Sequence, residues 1–231
     1  MKVPGRLVLA ALGVLAAGPA AAQEFLDHGV FVITHEGTEI GREEFAISAT
    51  PGRQGRAGVL AVATDHYRDR EARAALELTN EHVPVSYQVD VYTAGHLTDR
   101  LSGQLARGRF ALRIVSPVGE VVREFPVPAD VVVLDDDGFV QFYFLPRPAG
   151  DSAEPVHVLR PREKAIVQGE VRAEGPDTVT VGSAAVPALR YALDLAGGGR
   201  WEFWFSPSGS LLKVALPARG IAAVRFSLPT R

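Results

Sequence analysis

The sequence predicts a mainly β protein: a strongly curved antiparallel sheet, or half-barrel, with one short mid-chain helix. Two observations carry this prediction. Apolar and polar residues alternate over short stretches, as in residues 84–91 (PVSYQVDV), and turn-forming residues separate such stretches about every ten residues, a spacing typical of an antiparallel meander. In addition, no stretch of any length before residue 125 repeats its apolar residues with the helical period.

Residues 1–22 have the pattern of a signal peptide. Lys2 and Arg6 precede an apolar run at residues 7–17, and Ala20 to Ala22 form a small-residue cleavage site. The run is shorter than the roughly 20 residues that cross a bilayer, although an uncleaved anchor is the alternative. We therefore expect cleavage after Ala22 and an exported, soluble periplasmic chain. Residues 23–231 would form one β-rich domain without a transmembrane segment.

The composition narrows the classes of partner and chemistry. The chain has no cysteine, which excludes disulfides, thiolate metal sites and cysteine nucleophiles. Its formal net charge is −3 and no basic run is present, so nucleic acid and anionic lipid headgroups are poor candidates for partners. The 47% of hydrophobic residues suffices to bury a core.

The strands predicted from these patterns begin with a hairpin at residues 29–35 and 42–48, followed by a polar loop at residues 50–58. A turn at residues 175–177 is expected to separate two later strands. The remaining predicted strands lie at residues 59–65, 72–80, 85–91, 97–102, 109–116, 120–125, 156–159, 164–173, 178–181 and 186–195.

Residues 136–145 carry the predicted short helix. Asp135, Asp136 and Asp137 precede the apolar stretch GFVQFYFL, and aspartate ahead of such a stretch is typical of a helix N-cap. A strand is the alternative, because the stretch is aromatic and contains a glycine. Consecutive aspartates do not fit the alternating ligands of a calcium loop.

The densest aromatic segment is the three-stranded stretch at residues 200–228. Strands are expected at residues 200–205, 211–216 and 221–226, with Trp201, Phe203 and Phe205 on one face of the first. We expect this segment to close an edge of the sheet and to form an aromatic wall opposite residues 136–145.

Several strands are apolar on both faces, among them GVFVIT, VLAV, WEFWF and LLKVAL. A sheet with one face in water normally alternates, so the second face needs a cover. The helix at residues 136–145, a partner subunit or an apolar ligand would each serve.

No catalytic or metal-binding pattern is evident, and no cofactor is predicted. The six histidines are scattered and none has the i+2 or i+4 spacing of paired metal ligands. The serines at residues 206–210 (SPSGS) do not form a nucleophile elbow. Any enzyme site would need polar groups that converge in the fold, for example around His66 or His157.

The order of elements resembles exported bacterial proteins of unknown function whose fold is similar to the lipoprotein carriers LolA and LolB. The likeness rests on residues 29–33 with 39–45, on residues 136–147, and on the closing hairpin WFSPSGSLLKVALP at residues 204–217. The resemblance implies a half-barrel around short helices, with a concave apolar surface suited to acyl chains and without catalytic residues.

These observations favour a non-enzymatic periplasmic binding or carrier protein for a hydrophobic ligand such as a lipid or acyl chain. A structural or interaction protein with fully packed apolar faces is the main alternative, and a cryptic hydrolase is a weaker one. The predicted ligand-binding residues are Trp201, Phe203, Phe205, Phe139, Phe142 and Tyr143.

Overall fold

The computed structural model describes residues 25–51, 57–135 and 138–228. Strands make up nearly all of its regular structure. They are β1 (Phe25–His35), β2 (Thr38–Thr50), β3 (Gly58–Tyr67), β4 (Arg70–Thr79), β5 (Pro84–Thr93), β6 (His96–Ala106), β7 (Arg109–Ser116), β8 (Gly119–Pro126), β9 (Val131–Val133), β10 (Ala153–Arg160), β11 (Ala165–Val181), β12 (Ala184–Leu195), β13 (Arg200–Phe205), β14 (Leu211–Leu216) and β15 (Ile221–Arg225).

All fifteen strands belong to one large, open and curved sheet. Almost every strand pairs with its neighbours in sequence, and the pairs are antiparallel apart from the parallel pair of β9 with β10. The mainly β class and the antiparallel meander are thus confirmed. Strand β1 pairs with β15, and β8 and β9 form the two edges.

The three-stranded segment at residues 200–228 lies in the middle of the sheet, so the expectation that it closes an edge is wrong. Its three strands are present as predicted, but β15 pairs with β1, with Phe31 opposite Arg225. The first and last strands therefore join the two halves of the sheet. A pairing across nearly 200 residues leaves no signal in local alternation, which reports only which face a side chain occupies.

The predicted helix at residues 136–145 is corrected to a single 3-10 turn, Val140–Phe144. Asp136 and Asp137 lie outside the described residues, and the residue that precedes the turn, Phe139, makes no side-chain capping bond. The backbone N–H groups at the start of the turn instead donate hydrogen bonds to the side-chain carboxylate of Glu43 in β2. Because this tertiary contact replaces a local cap, the aspartate pattern was misleading.

The main core lies on the concave side of the sheet. Side chains from the inner faces of both halves of the sheet pack there around residues 138–145, which we call the plug. The plug contacts β3 on one side and β14 on the other. Its buried apolar side chains are Phe139, Val140, Phe142, Phe144 and Leu145.

A second, smaller core lies on the outer face, under the end of the β11–β12 hairpin. A bulge between Ala173 and Gly175, where Gly175 has a φ of 98°, bends this hairpin without ending it. The predicted turn at residues 175–177 is therefore wrong. The bent part, residues 175–189, is called the arm, and its apolar side chains cover Trp204 and Leu212.

Among the described residues, no helix is long and apolar enough to cross a membrane. The predicted signal peptide at residues 1–22 and its cleavage point lie outside the described residues, as does most of the loop predicted at residues 50–58.

Candidate functional site

The structure gathers five of the six predicted ligand-binding residues into one aromatic cluster on the concave side. The ring of Phe142 in the plug lies 5.1 Å from that of Trp201 and 5.9 Å from that of Phe203. Tyr143 lies 6.1 Å from Phe205. Strand alternation places the three β13 rings on one face, and the 3-10 turn presents two successive plug rings to them.

Phe139, the sixth predicted residue, is buried in the same core but lies outside this cluster of rings. Tyr191 of β12, which was not predicted, joins the cluster instead. The Tyr191 ring stacks on Phe203 at 5.4 Å and meets Phe205 edge to face at 6.2 Å. Cross-strand pairing explains this contact, because Tyr191 lies directly opposite Phe203.

The plug is held by a buried carboxylate. Glu43 is fully buried on the concave face of β2, where its two oxygens accept hydrogen bonds from the backbone N–H groups of Phe139 and Val140, both at 2.7 Å. Charge-assisted bonds of this length are among the stronger hydrogen bonds in proteins. They position the aromatic rings of the plug against β13.

A buried polar network anchors the chain just before the plug. The Tyr87 hydroxyl donates to the Asp135 carboxylate at 2.9 Å, and the side-chain amide of Gln141 donates to the Tyr87 hydroxyl at 3.2 Å. Arg162 pairs with the same carboxylate at 2.9 Å. Burial, and next the Asp135 charge, raise the pKa of Tyr87 well above its ordinary value. Tyr87 therefore stays a neutral donor.

The aromatic cluster is closed in its interior and open at its rim. Phe203, Phe205 and Phe142 are almost completely buried, whereas Trp201 and Tyr143 are only partly buried. Burial raises the pKa of the Tyr143 hydroxyl and the Asp27 carboxylate adds to the rise, while Arg147 and Arg225 oppose it. A ligand that leaves the plug in place would reach the cluster only at this rim.

A cleft of about 470 Å³ lies beside the Phe205 and Tyr143 end of the cluster, where Tyr191 is the cluster ring in its lining, and we call it the rim cleft. Leu189 and Tyr191 of β12 form its apolar side, and Leu189 is 45% exposed. Arg147 lines the other side, with its guanidinium 4.5 Å from the centroid of the Phe205 ring and 5.8 Å from that of Tyr143. The volume of the rim cleft falls within the range of small-molecule sites.

A second cleft, of about 310 Å³, separates the β4–β5 turn from β9. His82 lies in it with its ring 5.3 Å from Phe144. Burial, and next the charge of Arg147, lower the pKa of His82. Nearby, the His157 Nδ1 lies 2.9 Å from the Asp130 carboxylate.

The two histidines named in advance do not gather a set of reacting groups. His66 lies 3.7 Å from Glu71, and His157 pairs with Asp130. Neither receives or donates a hydrogen bond to a hydroxyl within residues 25–51, 57–135 and 138–228. Over the same ranges, no group of three His, Cys, Asp or Glu side chains is arranged to hold a metal ion.

Sequence reasoning missed Glu43, Arg147 and Leu189. Glu43 could have been suspected, because it falls on the apolar face of β2 with Phe45 and Ile47, where a carboxylate needs partners. Arg147 follows the plug in a polar loop and Leu189 belongs to a strand, and neither carries a local signal of its position at the rim.

No protein-family model matches the chain, and no curated protein matches it. Among solved structures, the chain is similar to a β-barrel-like protein of the domain of unknown function DUF1849 from Brucella abortus. The TM-score is 0.52 at 8% sequence identity, over 87% of this chain and 95% of that one. This likeness supports the barrel-like fold alone, and the resemblance to LolA and LolB stays a prediction.

Proposed function

We propose that this protein is a non-enzymatic binding protein for a hydrophobic ligand, exported to the periplasm, and that the ligand binds at the rim of the aromatic cluster. The observation that carries the proposal is an aromatic cluster that reaches a cleft of about 470 Å³ through Tyr191, with Arg147 of the same lining beside Phe205 and Tyr143. Pockets that hold small apolar ligands are lined by apolar and aromatic side chains with a few polar groups.

The ligand would occupy the rim and not the whole concavity. The plug already fills the interior, since its rings pack directly on β13. Leu189 and Tyr191 line the cleft, and the half-buried ring of Tyr143 lies next to it beside Arg147, so these side chains are available without any movement of the chain. The buried rings of Phe139, Phe142, Phe203 and Phe205 would then support the site from beneath.

The alternative, a structural or interaction protein of the cell envelope, is favoured by a different observation. The arm covers the outer face of β13 and β14 and the plug covers the inner face. The two-sided apolar character of these strands is therefore accounted for within the chain.

Binding of a fluorescent fatty acid tests the proposal. In Tyr143→Ala we expect affinity about tenfold weaker, because the half-buried ring at the rim is lost. Tyr92→Ala is the matched control. Tyr92 is also a half-buried ring beneath an arginine, with Arg73 at 4.7 Å, but it lies on the outer face of β5 and does not line the rim cleft. Equal affinity in both variants and the unaltered chain, or no binding at all, would contradict the proposal.

A further inference from the structure

We propose that the ligand of the rim cleft is a single-chain amphiphile with an anionic headgroup, and that Arg147 binds this headgroup. The inference rests on the proposed function, because it specifies the ligand chemistry of the same site. The chain has no basic run for a surface of many anionic headgroups, and the inference concerns a single bound headgroup. It is carried by the position of Arg147, the charges around it and the apolar surface beside it.

The Arg147 side chain contacts two aromatic rings and has no carboxylate partner among the described residues. Its guanidinium lies over Phe205 at 4.5 Å and near Tyr143 at 5.8 Å. Within the described part of the chain, this guanidinium makes no ion pair and no hydrogen bond. Stacking fixes the plane of a guanidinium and leaves its N–H donors free for bidentate contact with a carboxylate or phosphate.

The other charges that line the cleft are largely paired with one another. Glu174 binds Arg200 at 2.8 Å and lies 3.8 Å from Arg190, so its charge is compensated. Asp151, an exposed residue of the loop that follows Arg147, is the remaining carboxylate in the lining. Of the two arginines in the lining, Arg190 has Glu174 as an acidic neighbour, so Arg147 is the one that lacks an acidic partner and would bind an anionic ligand.

The apolar side of the cleft fits a hydrocarbon chain. Leu189 is 45% exposed although it lies on the same strand face as Tyr191, and Ala173 also lines the cleft. Covering these side chains with an alkyl chain removes apolar surface from water, so the affinity should increase with each CH₂ that is buried. The cleft thus places an apolar surface directly beside a stacked guanidinium, as an amphiphile requires.

Calorimetric titration with decanoate and with 1-decanol tests the headgroup. We expect the unaltered protein to bind decanoate at least about tenfold more tightly than decanol, the scale of a charge-assisted contact. Arg147→Gln should remove this difference and leave decanol binding unchanged. Arg147→Lys should retain part of it, because the charge stays and the bidentate geometry is lost.

Two control variants separate a local contact from a general charge effect. Arg219→Gln removes an exposed arginine at the opposite end of β14 and should leave both affinities unchanged. Asp151→Asn should strengthen decanoate binding alone, because it removes a repelling charge. Unfolding midpoints measured in parallel should match that of the unaltered protein, since Arg147 is exposed.

The outcomes distinguish the two proposals. Equal binding of decanoate and decanol, unaffected by Arg147→Gln, would overturn the headgroup assignment while the apolar site stands. Binding of neither compound would contradict the proposed function together with this inference. Weakening by Arg219→Gln as strong as that by Arg147→Gln would also overturn the assignment, because net charge would then be the cause.

Discussion

At the scale of single residues, Glu43 and Glu44 illustrate how strand alternation divides chemical roles. They are adjacent on β2, yet Glu43 is fully buried on the concave face and Glu44 is exposed on the outer face. The buried carboxylate replaces the water it has lost with two amide donors from the plug. A buried carboxylate without such donors would be strongly unfavourable.

Glu43→Ala should lower the free energy of unfolding by about 2–6 kcal/mol. The substitution leaves the N–H groups of Phe139 and Val140 buried without acceptors, and each such group costs about 1–3 kcal/mol. Urea unfolding followed by circular dichroism measures the change. Glu44→Ala is the matched control and should stay within about 0.5 kcal/mol. Equal effects of the two substitutions would contradict the role given to Glu43.

A second prediction concerns the buried ion pair between Asp27 and Arg225, joined by bonds of 2.7 and 3.0 Å. Arg225 is 1% exposed, so Asp27→Ala would leave a buried charge unpaired and should cost about 3–5 kcal/mol. The control is Glu120→Ala, which removes the partner of Arg113 in an exposed bidentate pair and should leave the free energy of unfolding almost unchanged, because exposed ion pairs contribute little. If Asp27→Ala lowers the free energy of unfolding by less than about 1 kcal/mol in the same measurement, the Asp27–Arg225 pair does not have the stabilising role given to it.

At the scale of elements, the arm explains why β13 and β14 are apolar on both faces. Trp204 points away from the plug and is buried beneath the arm, where its indole N–H donates to the Asp177 carboxylate at 2.8 Å. Lys213 lies over the same ring at 4.3 Å. The helix, partner or ligand expected to cover this second face is therefore unnecessary here, because another part of the chain covers it.

The contact between Trp204 and Asp177 predicts a pH effect. The Trp204 N–H, followed by the backbone N–H of Thr178, lowers the pKa of Asp177. In Trp204→Phe this pKa should rise toward its ordinary value. Because the folded-state pKa is depressed, the bond stabilises the fold above the unfolded-state pKa, and this contribution is lost as the pH falls.

Carbon-13 NMR titration of the aspartate carboxyls measures the change. The pKa of Asp90 serves as the internal control, because it is lowered chiefly by Arg100 and should be unaffected. An Asp177 pKa identical in Trp204→Phe and the unaltered protein would argue against the bond.

At the scale of the whole molecule, the strands and their faces were largely predictable. Alternation in residues 86–91 and the aromatic face of β13 are confirmed, whereas at the start of β5 Pro84 is buried in place of Val85, next to a bulge in the pairing with β4. The pairing of β1 with β15 was not predictable, because nothing local to Phe31 identifies Arg225 as its neighbour. The 3-10 turn was likewise hidden, since its capping group comes from Glu43, about 100 residues earlier.

The candidate site was predictable only in part, for the same reason. The periodicity of β13 and the aromatic content of the plug identified rings that do converge. The rim cleft depends on the bend of β11 and on the course of the loop that carries Arg147. These are tertiary features, and they decide that the interior is filled while the rim is open.

The central claim, that the protein binds a hydrophobic ligand at this rim, is tested most directly by native mass spectrometry of the protein purified from the cells that naturally produce it. We expect a population whose mass exceeds that of the polypeptide by one hydrophobic ligand, and a reduced population in Tyr143→Ala. A mass equal to the polypeptide alone, with no uptake of added fatty acid, would contradict the claim and favour the fully packed interaction protein.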